Sequence, residues 1–120
     1  MSKYRIFLPY PPTVNTYWRH ARGRNYISEK GTRYRAEVIA IILRERLDIK
    51  LTSRLKVKLL ASVPDRRIRD IDNLFKAPLD ALVHGGMIND DGQIDDLRII
   101  RGERVKGGAL EIVITELEAA

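Results

Sequence analysis

Asp70 and Asp72 stand before and at the start of one predicted helix of a 120-residue chain, and Asp90, Asp91, Asp95 and Asp96 follow it. If the backbone from Asp70 to Asp72 is extended, the i, i+2 spacing sends both carboxylates to the same side, and the loop after the helix could return Asp91 to them. Three carboxylates meeting at one point repel unless a cation lies between them, and hard oxygen ligands with bound waters suit Mg2+. Lys76 follows Asp72 by four residues, one helical turn, so its ammonium could reach the same point. A lysine beside a carboxylate-bound metal suits phosphoryl chemistry, where negative charge develops in the transition state. The competing reading is an i, i+4 pair on a solvated helix face, worth roughly 0.2–0.5 kcal/mol. A calcium loop is excluded: with Gly92 at the invariant glycine, Met87 and Arg98 occupy the first and last acidic positions. Asp95 and Asp96 precede a strand and read as solvated charge. His84, near a helix end, reads as a partner of the helix dipole.

The charge balance sharpens this picture. Lys and Arg number 22 against 16 Asp and Glu, a net +6, but residues 1–69 carry +12 and residues 70–120 carry −6. A basic chain suits a polyanionic partner, yet a purely electrostatic binder has no need to gather its carboxylates in one half. Arg66, Arg67 and Arg69 lie directly before Asp70, so a phosphate backbone drawn to them would be delivered to the carboxylates. Further upstream, Tyr17, Trp18 and Tyr26 interleave with Arg19, His20, Arg22 and Arg24, a mixture suited to stacking on bases and gripping phosphates. With no cysteine, disulfides, a thiolate nucleophile and Cys-ligated zinc are excluded, and His20 and His84 are too few for a histidine-rich site. The longest apolar run, Val38 to Leu43, falls far short of the roughly 20 residues that span a bilayer, and no signal segment opens the chain. A soluble, cytoplasmic protein without a membrane partner is expected.

The elements that must position these groups are legible in outline. Lys3 to Leu8 alternates as a strand and ends at Pro9, Pro11 and Pro12. Thr13 to Tyr26 reads as a turn or arm around Gly23, with too few apolar residues for a core. The spacing of Tyr34, Val38, Ile41 and Ile42 predicts a helix over 29–47, N-capped by Ser28, with Gly31 weakening its first turn and Tyr34 packing inward. Leu55 to Val63 has period two, so it is a strand with one buried face, ended by Pro64. Asp72 to His84 reads as a helix with Leu74, Phe75, Pro78, Leu79 and Leu82 on one arc and Asp72, Lys76 and Asp80 opposite. Pro78 requires that helix to start late or bend. Gly85 and Gly86 close it, and Ile94 to Glu103 and Ala109 to Glu116 read as two strands joined by a hairpin turn at 105–108. The length suits one domain over residues 1–120, an α+β fold with a mixed sheet and two main helices packed on it.

Three segments carry a family resemblance: Pro11 to Tyr17, Asp70 to Lys76 continuing through Leu79-Asp80-Ala81-Leu82, and Asn89-Asp90-Asp91. Together with Pro64 to Arg67 and the length, they resemble the RusA family of Holliday junction resolvases over nearly the whole chain. The resemblance implies a homodimeric, Mg2+-dependent endonuclease, with Mn2+ as a substitute metal, that nicks opposing strands of a four-way DNA junction in recombination and repair. It implies Asp70, Asp72 and Asp91 as the essential acidic residues and metal ligands, and Lys76 as the catalytic lysine. A bacterial or phage source is expected with it. The expected DNA contacts are Arg66, Arg67, Arg69 and Asn73 beside the acidic pair, and Arg19, Arg22 and Arg24 on the arm. Thr13 stands where the family has serine. The alternative reading is a branched-DNA-binding accessory protein without catalysis.

Overall fold

A computed structural model describes residues 2–66 and 70–117. In chain order the elements are β1 (Lys3–Leu8), a one-turn helix α1 (Val14–Tyr17), β2 (Trp18–Ala21), β3 (Arg24–Ile27), α2 (Glu29–Arg44), β4 (Leu55–Ser62), α3 (Lys76–His84), β5 (Ile94–Arg101) and β6 (Ala109–Glu116). Short 3₁₀ turns over Ile71–Leu74 and Asp91–Gln93 precede α3 and β5. The α+β reading holds: four strands form one mixed sheet in the order β1-β6-β4-β5, while β2 and β3 make a separate two-stranded hairpin.

The order of the sheet corrects one expectation. β5 and β6 do not form a hairpin; β4 lies between them, parallel to β5 and antiparallel to β6. Packing explains the choice. β6 places Leu110, Ile112 and Ile114 in the core and belongs inside the sheet, whereas β5 leaves Leu97 and Ile100 about two-fifths exposed and serves as an edge. The connecting segment is also longer than a tight turn; it runs past the end of β4, where Gly102 and Val105 donate to the carbonyls of Ala61 and Val63.

β4 alternates as its sequence requires, with Leu55, Val57, Leu59 and Ala61 fully buried. They join Val38 and Ile42 of α2 and Leu79, Ala81 and Leu82 of α3 in one core. Burial of side chains of this size stabilises by about 1.5–3 kcal/mol each. Ser28 caps α2, its hydroxyl accepting from the Gly31 amide at 3.0 Å. Gly31 is required rather than merely tolerated: a Cβ there would lie 2.7 Å from the Tyr17 carbonyl oxygen. Pro78 is accommodated because α3 starts late. With Phe75 as N-cap, Pro78 falls in the first turn, where backbone N–H groups have no intrahelical partner.

The arm expectation needs a second correction. Residues 13–26 do contribute to the core: Tyr17 is fully buried and Trp18 packs against the core, followed by Ile27 just beyond the segment. Each of these aromatic rings buries a large apolar surface, so few apolar residues suffice to tie the segment to the core. No helix among the described residues is long and apolar enough to cross a membrane.

Candidate active site

Asp70 is the N-cap of the turn that leads into α3, in extended conformation (φ −85°, ψ 119°), and its side chain makes no capping bond. Asp72 lies in that turn, which buried Leu74 anchors to the core. The segment over 72–84 is therefore not one continuous helix, and the i, i+4 face expected for Asp72 and Lys76 is broken at Phe75. Lys76 opens α3 with its Nζ 5.4 Å from the centre of the Phe75 ring. Asn73 is half-buried, and its amide closes the turn on the Asp70 carbonyl at 3.3 Å.

Asp91 is positioned by different neighbours. Asp90 and Gln93 form a reciprocal cap around it: the Asp90 carboxylate accepts from the Gly92 amide at 2.9 Å, and Gln93 Oε1 accepts from the Asp90 amide at 2.8 Å. The Gln93 amide then donates to the carbonyls of Leu51 and Ser53, which fixes the turn to the approach of β4. It is the C-terminal end of α3 that docks there, Lys50 and Leu51 donating to Gly86 and Met87, while Asp70 and Asp72 precede its N-terminal end. The Ile71–Leu74 turn in its turn packs against β5, the strand that the Asp91–Gln93 turn leads into, and among the described residues no group of three carboxylates or histidines able to hold a metal ion forms. Asp70, Asp72 and Asp91, with Lys76, are exposed, and among the described residues their side chains make no hydrogen bond or ion pair.

The other acidic residues are engaged elsewhere. Arg54 Nε bonds both oxygens of Asp95 at 3.0 and 3.1 Å, and Arg98 lies 3.4 Å from Asp96, so these two are solvent-facing pairs as expected. The Arg54 guanidinium holds the Asp95 carboxyl below its ordinary value. Asp80, assigned by its spacing to the polar stripe of α3, instead faces inward. Its Oδ2 accepts from the Tyr17 hydroxyl and from Arg35 Nε and Nη2 at 3.1 and 2.8 Å, and His84 Nε2 is 3.5 Å from Oδ1. Burial and the Asp80 bond push the Tyr17 phenol well above its ordinary value. Burial works to lower Arg35, but the bonds to Asp80 and Tyr17 prevail and raise it.

The basic residues divide between two places. Arg22 and Gly23 make the two-residue turn of the β2–β3 hairpin, both with positive φ (51° and 74°), as tight hairpins require. Tyr26 pairs with Arg19 across the hairpin, and Arg24 with Ala21, so Arg19, Arg24 and Tyr26 share its outer face, all exposed. Arg66 is exposed at the end of the described segment; Arg67 and Arg69 lie outside the described residues.

Arg35 and Gln93 were not singled out by residue type and spacing, while Tyr17, read as a ring for stacking on bases, is instead buried, and Asp80, read as part of a solvated stripe, is instead bonded to it. For Gln93 a signal existed, since Asp90-x-x-Gln93 is a capping-box pattern. For Tyr17 and Asp80, 63 positions apart, no local pattern announces the contact.

Comparison with known proteins supplies what geometry alone leaves open. A family model described as Endodeoxyribonuclease RusA matches residues 9–115. The crossover junction endodeoxyribonuclease rusA of Enterobacteria phage HK97 is 53% identical over 119 residues, 99% of each chain. Its counterparts from Enterobacteria phage 82 and Escherichia coli K12 are 47% and 46% identical over 117 residues, 98% of each chain. The chain belongs to the RusA endodeoxyribonuclease family.

Proposed function

We propose that this protein is a homodimeric, Mg2+-dependent endonuclease that resolves four-way DNA junctions by paired nicks, in recombination and repair in a bacterial cytoplasm. The observation that carries this reading is 53% identity, over 99% of both chains, to a protein named for cutting crossover junctions. The exposed carboxylates and basic hairpin agree with it in chemistry. A junction has two strands to cut symmetrically, and a two-fold enzyme presents one acidic segment to each.

Asp70, Asp72 and Asp91 are the residues that would hold Mg2+. The donor set fits, since Mg2+ takes one or two carboxylates and completes its shell with water and substrate phosphate. When bound, Mg2+ would activate water and polarise the scissile phosphate. Lys76 offsets charge developing on the phosphate and leaving oxygen, which a compact ammonium at the start of α3 can do in an exposed site. Arg66, Arg67, Arg69 and Asn73 hold the backbone beside the acidic pair, while Arg19, Arg22 and Arg24 grip an arm of the junction.

The test is a gel assay of synthetic four-way, three-way and linear duplex DNA with and without Mg2+. Mg2+-dependent nicking confined to the branched substrates is expected, with Asp70→Asn, Asp72→Asn and Asp91→Asn binding the junction but not cutting it. Mg2+ affinity measured calorimetrically should fall in the same variants. Junction binding without any nicking would replace this reading with a branched-DNA-binding accessory role.

A further inference from the structure

We infer that Asp80 is a positioning residue: it fixes the arginine-bearing hairpin relative to the segment holding Asp70, Asp72 and Lys76, and thereby sets affinity for branched DNA. The inference rests on the proposed function. A single carboxylate oxygen gathers the Tyr17 hydroxyl from the end of α1 and two guanidinium nitrogens of Arg35 from α2, so three helices meet on it. The chain distances on either side are short. Lys76 is one helical turn before Asp80, and Arg19 is two residues after Tyr17.

Solubility does not account for this carboxylate. The side chains of Asp80 and Arg35 are only 21% and 22% exposed, and Tyr17 is fully buried, so water screens the contact weakly. The root of the hairpin is held to α2 as well: the Ser28 amide donates to the Tyr17 carbonyl at 2.8 Å, and its hydroxyl donates to the Thr16 carbonyl. Tyr17 therefore reports α2 through its backbone and α3 through its ring. Loss of the Asp80 tie leaves the hairpin attached to α2 but frees its angle to α3. A hairpin freed in this way must be ordered again when DNA binds, and that cost appears as weaker affinity rather than as a slower chemical step.

Two variants test it. Asp80→Asn keeps size and an acceptor but removes the charge; Tyr17→Phe removes one hydroxyl and leaves the ring. Three quantities are read for each folded variant: affinity for a four-way junction without divalent metal, the nicking rate constant at saturating enzyme with Mg2+, and amide exchange over residues 18–27 without DNA. Expected are a loss of junction affinity of about tenfold, a saturating rate within about threefold of the parent, and faster exchange in the hairpin. A purely structural role would lower the fraction of folded enzyme and leave affinity per folded molecule unchanged. Unchanged affinity, unchanged exchange, or a lost rate at unchanged affinity overturns the inference. If Asp80→Asn does not fold, Tyr17→Phe decides alone. A parent chain that neither binds nor nicks the junction overturns the proposed function, an outcome that accelerated hairpin exchange in the variants cannot imitate.

Discussion

The side-chain amide of Gln93 donates to the carbonyl oxygen of Leu51 at 3.0 Å, joining residues 42 positions apart. The same side chain accepts from the amides of Asn89 and Asp90 and donates to the Ser53 carbonyl. Only 8% exposed, it spans the turn that presents Asp91.

Gln93→Leu therefore leaves backbone donors and acceptors without partners. A loss of about 2–4 kcal/mol is expected in urea unfolding, since each buried group left unpaired costs about 1–3 kcal/mol. Nicking should also slow, although Asp91 itself is untouched. Unchanged stability would show that water replaces these bonds at little cost.

The sheet order makes a contrast between two isoleucines. Ile112, fully buried on the central strand β6, should cost about 2–5 kcal/mol on substitution by alanine. Ile100, 43% exposed on the edge strand β5, should cost under about 1 kcal/mol. Similar losses at both positions would contradict the order β1-β6-β4-β5.

Gly31→Ala tests the packing of the hairpin root on α2. Helix propensity alone would favour alanine by up to about 1 kcal/mol. The added Cβ would meet the Tyr17 carbonyl oxygen at 2.7 Å and Ile27 Cγ1 at 2.8 Å, so destabilisation of about 1–3 kcal/mol is expected. A raised melting temperature would refute the close approach.

Alkaline pH should destabilise the fold through two phenols. Burial, the largest cause for both, pushes Tyr17 and Tyr34 well above the ordinary tyrosine value. In the unfolded chain they ionise near pH 10, so above that pH the unfolded state binds fewer protons than the native state. Their contribution is full below about pH 10 and is lost as pH rises toward the folded values. Unfolding free energies measured from pH 8 to 11 should fall at the upper end, and less steeply in Tyr34→Phe. A flat profile would refute the burial of both phenols.

Periodicity in this chain was enough for β1, β4 and α2, because each repeats its apolar residues at the spacing of its own geometry: Leu55, Val57, Leu59 and Ala61 by two, Tyr34, Val38 and Ile42 by four. Ser28 as a cap and Gly85-Gly86 as a stop were also legible, being local hydrogen-bonding and backbone requirements. The family was legible too, since Asp70 to Lys76 and Asn89 to Asp91 are contiguous motifs. Which strand neighbours β6, and that Asp80 turns inward to Tyr17 and Arg35, were decided by tertiary packing. Those outcomes depend on competition for buried area among segments up to 63 residues apart, and no window of sequence contains both partners. The same holds for the acidic residues: their type and spacing are written in the chain, but the turn that aims Asp91 is set by Gln93 reaching back to Leu51.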